Sequence, residues 1–431
     1  MIRGFSFLNA NSPKLHELRA NFPLFCINFV QNSLSLPKTY KMEQLFEHFK
    51  RKLSETPTDL VRYKYADIAW ESHALGLVGP RGVGKSTMLL QHIKLSGLDT
   101  ADTLYVSADH LYFASHSLVD MADRFYKMGG KHLFIDEIHK YEGWSAEIKQ
   151  IFDSYSSLQL VISGSSILDI TKGMADLSRR VPIYQMQGLS FREYLHLFHG
   201  IKMQPIDMPQ LLSHHYAIPA TEHPLPLFRD YLKRGYYPFG NDPAYGLELT
   251  QVVTQTMESD IPLYLNANVS VGRKLKQLLM VVAESVPFKP VMQKLATATG
   301  ISRNYIQDYL MLMEQAGMIA QLRDAAGGIR SLGKVEKLYL DNTNLIYALA
   351  PQRADIGNVR ETFFMNQTRV VGDVMCSPVS DFLLNGMTFE IGGRKKGQKQ
   401  ISEVPQGYVV KDDIESGYAN ILPLWAFGLL Y

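Results

Sequence analysis

Three observations predict an α/β fold. Between residues 74 and 184, short apolar runs alternate with helical stretches, the pattern of a parallel sheet covered by helices on both faces. The first run leads through a glycine-rich loop into a helix. The third ends in two adjacent carboxylates. Beyond residue 188 the pattern changes, predicting a helical lid, a winged helix and a second, nuclease-like α/β end. The expected parts are 1–41 as an N-terminal extension, 42–187 as the sheet-bearing core, 188–269 as the lid, 270–347 as the winged helix and 348–431 as the final unit.

Residues 1–41 carry no periodic apolar pattern, whereas Met42 opens an amphipathic helix with Leu45, Phe46, Phe49 and Leu53 on one face. Met42 is therefore read as the real start of the chain, or residues 1–41 as a loose extension before it. A mass spectrum of native protein beginning at Met1 excludes the first version. The opening does not read as a signal peptide, because the run after Arg3 is broken by Asn9, Asn11, Ser12 and Lys14. Strands are predicted at Ala74–Val78, Thr103–Ser107, His132–Ile135 and Gln159–Ser163. Residues 188–265 read as mostly helical, with interruptions at Pro205, Pro209, Pro219, Pro224 and Pro226. Residues 270–347 read as three helices and a hairpin.

Composition narrows the class. A chain of 431 residues with 46% hydrophobic and 20% charged residues is globular and long enough for two or three domains. Forty-four Lys and Arg against 42 Asp and Glu leave a net charge of +2, so any basic site is local. Two cysteines, Cys26 and Cys376, have no metal-ligand spacing; they exclude a disulfide framework and suit a reducing, cytoplasmic compartment. No run reaches the roughly 18 apolar residues that cross a bilayer, so no membrane is expected.

Gly79-Pro80-Arg81-Gly82-Val83-Gly84-Lys85-Ser86-Thr87 fits GxxxxGK[ST], preceded by an apolar strand and followed by a helix. The chemistry needs that order: glycines let the backbone wrap phosphates, the helix N-terminus supplies positive potential, and Lys85 reaches the outer phosphates of ATP. Ser86 is placed to ligate Mg²⁺. In Leu133-Phe134-Ile135-Asp136-Glu137, Asp136 would hold Mg²⁺, directly or through water, and Glu137 would polarise the attacking water. An acidic first helical turn is the plain alternative for that pair. A further strand ends in Ser163-Gly164-Ser165-Ser166. In AAA-type sheets the strand beside the phosphate-loop strand ends in a residue that senses the γ-phosphate, a role open to Ser163 or Ser165. Arg179 and Arg180 follow; one is a candidate arginine finger or sensor, acting in its own chain or on a neighbour, and a solvated pair is the alternative. Arg81, inside the loop, is read as a surface residue. A transporter ATPase would need an LSGGQ-like signature, which is absent. A small-molecule kinase would need an arginine-rich lid and stands as the enzyme runner-up.

These residues resemble a bacterial family of AAA-type ATPases, common in Bacteroidetes, that carries a winged-helix segment and a C-terminal nuclease-like domain of unknown function. The resemblance rests on Gly79–Thr87, on Phe134-Ile135-Asp136-Glu137-Ile138-His139-Lys140, and on Ile162-Ser163-Gly164-Ser165-Ser166. It extends to Arg179-Arg180, Leu189-Ser190-Phe191-Arg192-Glu193-Tyr194 and Leu232-Lys233-Arg234-Gly235-Tyr236-Tyr237-Pro238. It implies ATP binding and a cytoplasmic location, and names no reaction beyond hydrolysis.

Two C-terminal modules follow. Ala296, Gly300 and Ile306 have helix-turn-helix spacing, Ser302 suits an N-cap, and Met318–Arg323, Gly327-Gly328 and Lys334–Leu340 make a wing. Its DNA-contact candidates are Arg303, Asn304, Gln307, Arg330 and Lys334, diluted by Asp308 and Glu314; packing against a protein partner is the other use. Glu361, Asp381 and Glu390 are spaced like a PD-(D/E)xK nuclease core, with a hairpin turn at Asn385-Gly386. Gly392 stands where the lysine belongs, leaving Lys395 or Lys396 to swing in. An inactive scaffold is the favoured reading, and the basic run Arg394–Lys399 is read as a solvated loop. The sequence points to Mg-ATP hydrolysis driving conformational change, acting on DNA or a protein partner, with no subunit count specified. A nucleotide-dependent switch with negligible turnover and an ATP-gated nuclease are the alternatives.

Overall fold

The computed structural model describes residues 41–164, 177, 180–219, 221–265, 267–324 and 334–431. The extension through residue 40 with its Cys26, Ser165, Arg179, the turn at Gly327-Gly328 and Arg330 lie outside the described residues.

Helix α1 (Met42–Glu55) buries Met42, Leu45 and Phe49, as its periodicity requires, and lays Phe49 against Tyr105 with ring centroids 6.4 Å apart. The first sheet contains β1 (Ala74–Val78), β2 (Thr103–Ser107), β3 (His132–Asp136), β4 (Gln159–Gly164) and β5 (Ile183–Gln185) in the order β2-β3-β4-β1-β5, all parallel. Its inner strands are continuous apolar runs because helices cover both faces: α2 (Lys85–Leu95), α3 (Leu118–Lys127) and α4 (Trp144–Ser154) form the crossovers. Pairing Val78 with Gly164 and Ser107 with Asp136 aligns the carboxyl ends of the strands along one edge of the sheet, where loops from separate crossovers meet. Strand β5 was not expected from the sequence. It is three residues at the sheet edge, with Ile183 and Gln185 exposed, and so has no buried face to leave an apolar signature.

The helical region comprises α5 (Phe191–His199), α6 (Met208–Leu212), α7 (Leu225–Arg234), α8 (Tyr245–Gln255), a π-helical turn at Thr256–Asp260 and α9 (Ile261–Tyr264). Pro209 and Pro226 sit in first helical turns, where the missing amide hydrogen has no partner to lose, so they start helices instead of interrupting them. Three further helices follow: α10 (Val269–Ser285), α11 (Met292–Thr299) and α12 (Arg303–Gln315). They precede an antiparallel ladder of β6 (Ile319–Arg323) and β7 (Val335–Leu340). Gly300 makes the turn between α11 and α12 at φ 63°, and Ile306 is fully buried. Two details differ from expectation. The Ser302 hydroxyl makes no capping bond. Glu314 does not dilute an exposed face, because its carboxylate accepts from Arg323 at 2.7 Å and from the Gln321 amide at 3.0 Å.

After α13 (Thr343–Leu349) and α14 (Ile356–Thr368), a mixed sheet closes the chain: β8 (Val374–Cys376), β9 (Phe382–Leu384), β10 (Met387–Gly392), β11 (Gly407–Lys411) and β12 (Ile421–Pro423). The first three pair antiparallel and β10, β11 and β12 pair parallel. Positive φ at Asn385 and Gly386 gives the tight hairpin their types favour. Glu361 and Asp381 do meet, but around a lysine: Lys337 Nζ lies 3.1 Å from Glu361 and 3.4 Å from Asp381. Burial, then the neighbouring Glu361, pushes the Asp381 carboxyl above its usual range. Glu390 is bound by Ser380 and by Lys396, so Lys396 does reach the carboxylate despite the glycines before it. Among the described residues no group of three or more His, Cys, Asp or Glu is arranged to hold a metal ion. No described helix is long and apolar enough to cross a membrane.

The parts are packed together. One hydrophobic cluster runs from Met42 to Leu430. The start of α5 is tied to Tyr431 by Ser190 Oγ donating to its carbonyl at 2.6 Å and Arg192 Nε at 2.9 Å.

Candidate nucleotide site

The loop 79–84 leaves β1 at the carboxyl edge of the sheet and enters α2 at Lys85. Gly82 and Gly84 adopt φ of 83° and 98°, a left-handed conformation that other residues take at a cost. Gly79 is glycine for another reason: a Cβ there would run into the backbone carbonyl of Met186. The loop thus curls back before the helix, with the α2 amides at its centre, the usual geometry for an anion.

Lys85 is 4% exposed and donates from Nζ to the carbonyls of Gly79 at 2.9 Å and Pro80 at 2.8 Å. Burial lowers its pKa to about 8, against the opposing pull of Glu137 and Asp136. Asp136, at the end of β3 and also buried, accepts from Tyr105 at 2.6 Å, from the Glu137 amide at 3.0 Å and from Ser163. Ser163 is fully buried at the end of β4. Ser86 is half-buried beside Tyr105, whose hydroxyl burial and Asp136 push far above its usual pKa. Thr87 is exposed, and Val83 is fully buried.

Glu137 is a non-glycine residue at φ 51°, a strained conformation of the kind found at functional sites. Its carboxylate lies 3.2 Å from Lys140 Nζ and 3.8 Å from His139 Nε2. Burial pushes this carboxyl up, but His139, Lys140, Lys85 and Arg81 together outweigh it and hold the pKa below the ordinary value. Burial lowers the pKa of His139, favouring its neutral form.

The structure therefore brings Lys85, Ser86, Asp136, Glu137 and Ser163 together at one edge of the sheet. Arg180 is engaged elsewhere, by Asp153 of α4 at 3.0 Å. Arg81 is not a free surface residue: it forms a forked ion pair with Asp260 of the π-helical turn, at 3.0 and 3.1 Å from one nitrogen.

Beside the loop lies a cavity of about 340 Å³, lined by Leu60, Arg62, Gly84, Thr87, Gln91 and His196 among others. Arg62 closes its inner wall. Its guanidinium donates to the carbonyls of Val83 at 2.6 Å, Gln187 at 2.8 Å and Gly188 at 2.8 Å, and it pairs with Glu193 at 3.0 Å. Glu193 is fully buried, and its other oxygen accepts from the Tyr63 amide at 2.7 Å. One ion pair thereby joins the segment before β1, the phosphate loop and α5. Glu193→Ala is expected to destabilise the chain by about 3–5 kcal/mol, because it leaves the Arg62 charge buried without its counter-ion. Chemical denaturation midpoints at constant slope measure this. Sequence reasoning missed Arg62, Tyr105 and Asp260. Only Arg62 had a local hint, an arginine in a stretch that is otherwise extended and half apolar.

The parallel sheet, the glycine loop and the paired carboxylates at a strand end define a P-loop nucleoside-triphosphatase domain. Residues 71–195 match the family description "AAA domain", and residues 225–355 match a "Domain of unknown function (DUF8612)". The chain is similar to the uncharacterized protein MJ1637 of Methanocaldococcus jannaschii. The two are 29% identical over 193 residues, 38% of this chain and 40% of that relative's length. Among solved structures it is similar to AMPPCP-bound DnaA from Aquifex aeolicus, at 12% identity and a TM-score of 0.26, over 65% of this chain and 93% of that one. It is also similar to the Hsp104–ADP complex of S. cerevisiae, at 17% identity and a TM-score of 0.25, over 65% and 39% of the two chains.

Proposed function

We propose that this chain is an AAA-type ATPase that binds Mg-ATP at Gly79–Thr87 and hydrolyses it, using the cycle to move its C-terminal half. The observation that carries the reading is the buried Lys85, folded onto the Gly79 and Pro80 carbonyls and within electrostatic reach of Asp136 and Glu137. In this reading the loop amides and Lys85 hold the phosphates, and Glu137 orients and deprotonates the attacking water. The cavity beside Gly84 has the size and partly apolar lining that suit a nucleobase and sugar. Ser86 and Asp136 offer an oxygen-only donor set, which fits Mg²⁺ with most of its waters retained. Bound there, Mg²⁺ would neutralise charge on the phosphates. Ser163, bonded to Asp136, is placed to report the phosphate state through that carboxylate. Arg180 is held by Asp153, so a finger or sensor role requires that pair to break. A cytoplasmic setting suits such an enzyme.

The three helices and ladder at 269–340 are read as a winged helix that meets DNA or a protein partner. Steady-state Mg-ATP hydrolysis with and without duplex DNA tests both halves of the proposal. Turnover that rises with DNA supports a DNA-dependent machine. Turnover indifferent to DNA moves the winged helix to a protein partner. A second reading, a switch with negligible turnover, is favoured by one observation: Lys140 already occupies the Glu137 carboxylate. Tight ATP binding without turnover supports that reading over the first. For the nuclease alternative, Lys337 and Lys396 neutralise the carboxylates that a metal-dependent cut would use. Cleavage of supercoiled, linear or single-stranded DNA with Mg²⁺ or Mn²⁺ is not expected.

A further inference from the structure

We propose that Asp260 is a positioning residue for ATP hydrolysis, delivered by the π-helical turn to hold Arg81 over the phosphate loop, where its guanidinium takes up charge on the transferred phosphoryl group. The inference rests on the ATPase reading above and names a part of the site that the glycine loop and the strand-end carboxylates do not include.

Arg81 is the third residue of the loop and is only 21% exposed at its side chain. Asp260 is 7% exposed and meets it with both oxygens, the fork-on-fork geometry that fixes a guanidinium in direction as well as place. The pair spans 179 positions of sequence, so nothing local forces it. Both residues lie within electrostatic reach of the chemistry: Arg81 acts on Lys85, Glu137 and His139, and Asp260 acts on Lys85 and His139. The pair engages Nε and one terminal nitrogen of Arg81, so the other terminal nitrogen is the one assigned to the phosphoryl group, within electrostatic reach of Glu137.

The backbone around Asp260 is shaped for delivery. Thr256–Asp260 is wound as a π turn, an extra-residue irregularity that concentrates at functional sites because it re-aims a side chain at a cost in helix regularity. The turn is held from behind. Gly272 of α10 approaches so closely that a Cβ would lie 2.8 Å from Glu258 Cα and 3.2 Å from the Pro262 ring. Lys276, one turn further along α10, pairs with Glu258 at 2.9 Å. The loop also meets the segment that follows the helical region, where Pro80 rests against Gly317, at φ 72° just past α12. Asp260 therefore joins the loop to the helices that would have to move.

In hydrolysis the water oxygen bonds to the γ-phosphorus, its proton passing to Glu137, as the bond to the β–γ bridging oxygen breaks with its electron pair, giving ADP and inorganic phosphate. Negative charge is redistributed over the oxygens of the transferring phosphoryl group and the departing bridge oxygen. A guanidinium held in place beforehand stabilises that change more than it stabilises bound ATP, so its loss falls on kcat.

The test measures steady-state Mg-ATP turnover beside equilibrium binding of a fluorescent ATP analogue, with thermal melts as a folding control. Arg81→Ala is expected to lower kcat by about 100-fold or more with Kd changed less than about three-fold. Asp260→Asn, of nearly the same shape, is expected to lower kcat by about ten-fold, Asp260→Glu to recover part of it, and the double variant to be no slower than Arg81→Ala alone. Unchanged kcat in Asp260→Asn, or losses that multiply in the double variant, overturns the proposal. Wild-type protein that binds the analogue without hydrolysing ATP, or that does not bind it at all, removes the underlying ATPase reading and the proposal with it, whereas active wild type with an unchanged Asp260→Asn variant overturns the proposal alone.

Discussion

Glu137→Gln is expected to lower Mg-ATP turnover by about 10²–10⁴-fold while leaving ATP binding in place. Glutamine keeps the length and planarity of the side chain but cannot accept a proton from water. The structure gives the reason to expect binding to survive. Lys85 keeps its bonds to Gly79 and Pro80, the loop glycines are untouched, and Lys140 retains its partner Asp109 at 2.5 Å. The Gly79–Gly84 loop loses a negative neighbour, so affinity for an anion is expected to hold or rise. Phosphate release under saturating ATP, paired with analogue binding, checks both parts. A rate equal to wild type would mean that another group, Asp136 foremost, activates the water.

Lys85→Ala acts on binding instead. With ATP at 100 times its dissociation constant, a single site stabilises the folded chain by about 2.7 kcal/mol, and the variant is expected to lose most of it. The unliganded variant should fold, because burying this ammonium is unfavourable: its lowered pKa of about 8 records that cost. Melting curves with and without ATP separate the two effects. A retained ATP shift would place the nucleotide away from this loop.

Strands β1 to β4 and the glycine loop were legible because a parallel sheet buried on both faces writes itself as unbroken apolar runs, and a phosphate loop needs glycine where φ is positive. The hairpin at Asn385-Gly386 was legible for the same kind of reason. Strand β5 was not, since a short edge strand with two exposed residues has no pattern to read. The site was legible where its groups sit on adjacent strand ends, as Asp136 and Glu137 do. It was opaque where distant segments supply a partner. Arg81 reads as a surface residue until Asp260 is brought to it, and Arg62 reads as a stray charge until Glu193 meets it. Lys337 is silent in sequence, yet in space it lies between Glu361 and Asp381.

The bond from Ser190 to the Tyr431 carbonyl crosses 241 positions, and Arg192 makes a similar span. Such a contact closes a very long loop, and pairings of this separation form late and slow the approach to the native state. During synthesis, the strands and phosphate loop are complete long before the residue that braces the start of α5 has been made. The growing chain therefore passes through a stage in which the nucleotide pocket has its floor but not its support. ATP present at that stage would bind weakly, and its affinity would sharpen only when the final segment docks. Refolding followed by analogue fluorescence would show this as a binding signal that lags behind the recovery of helix content.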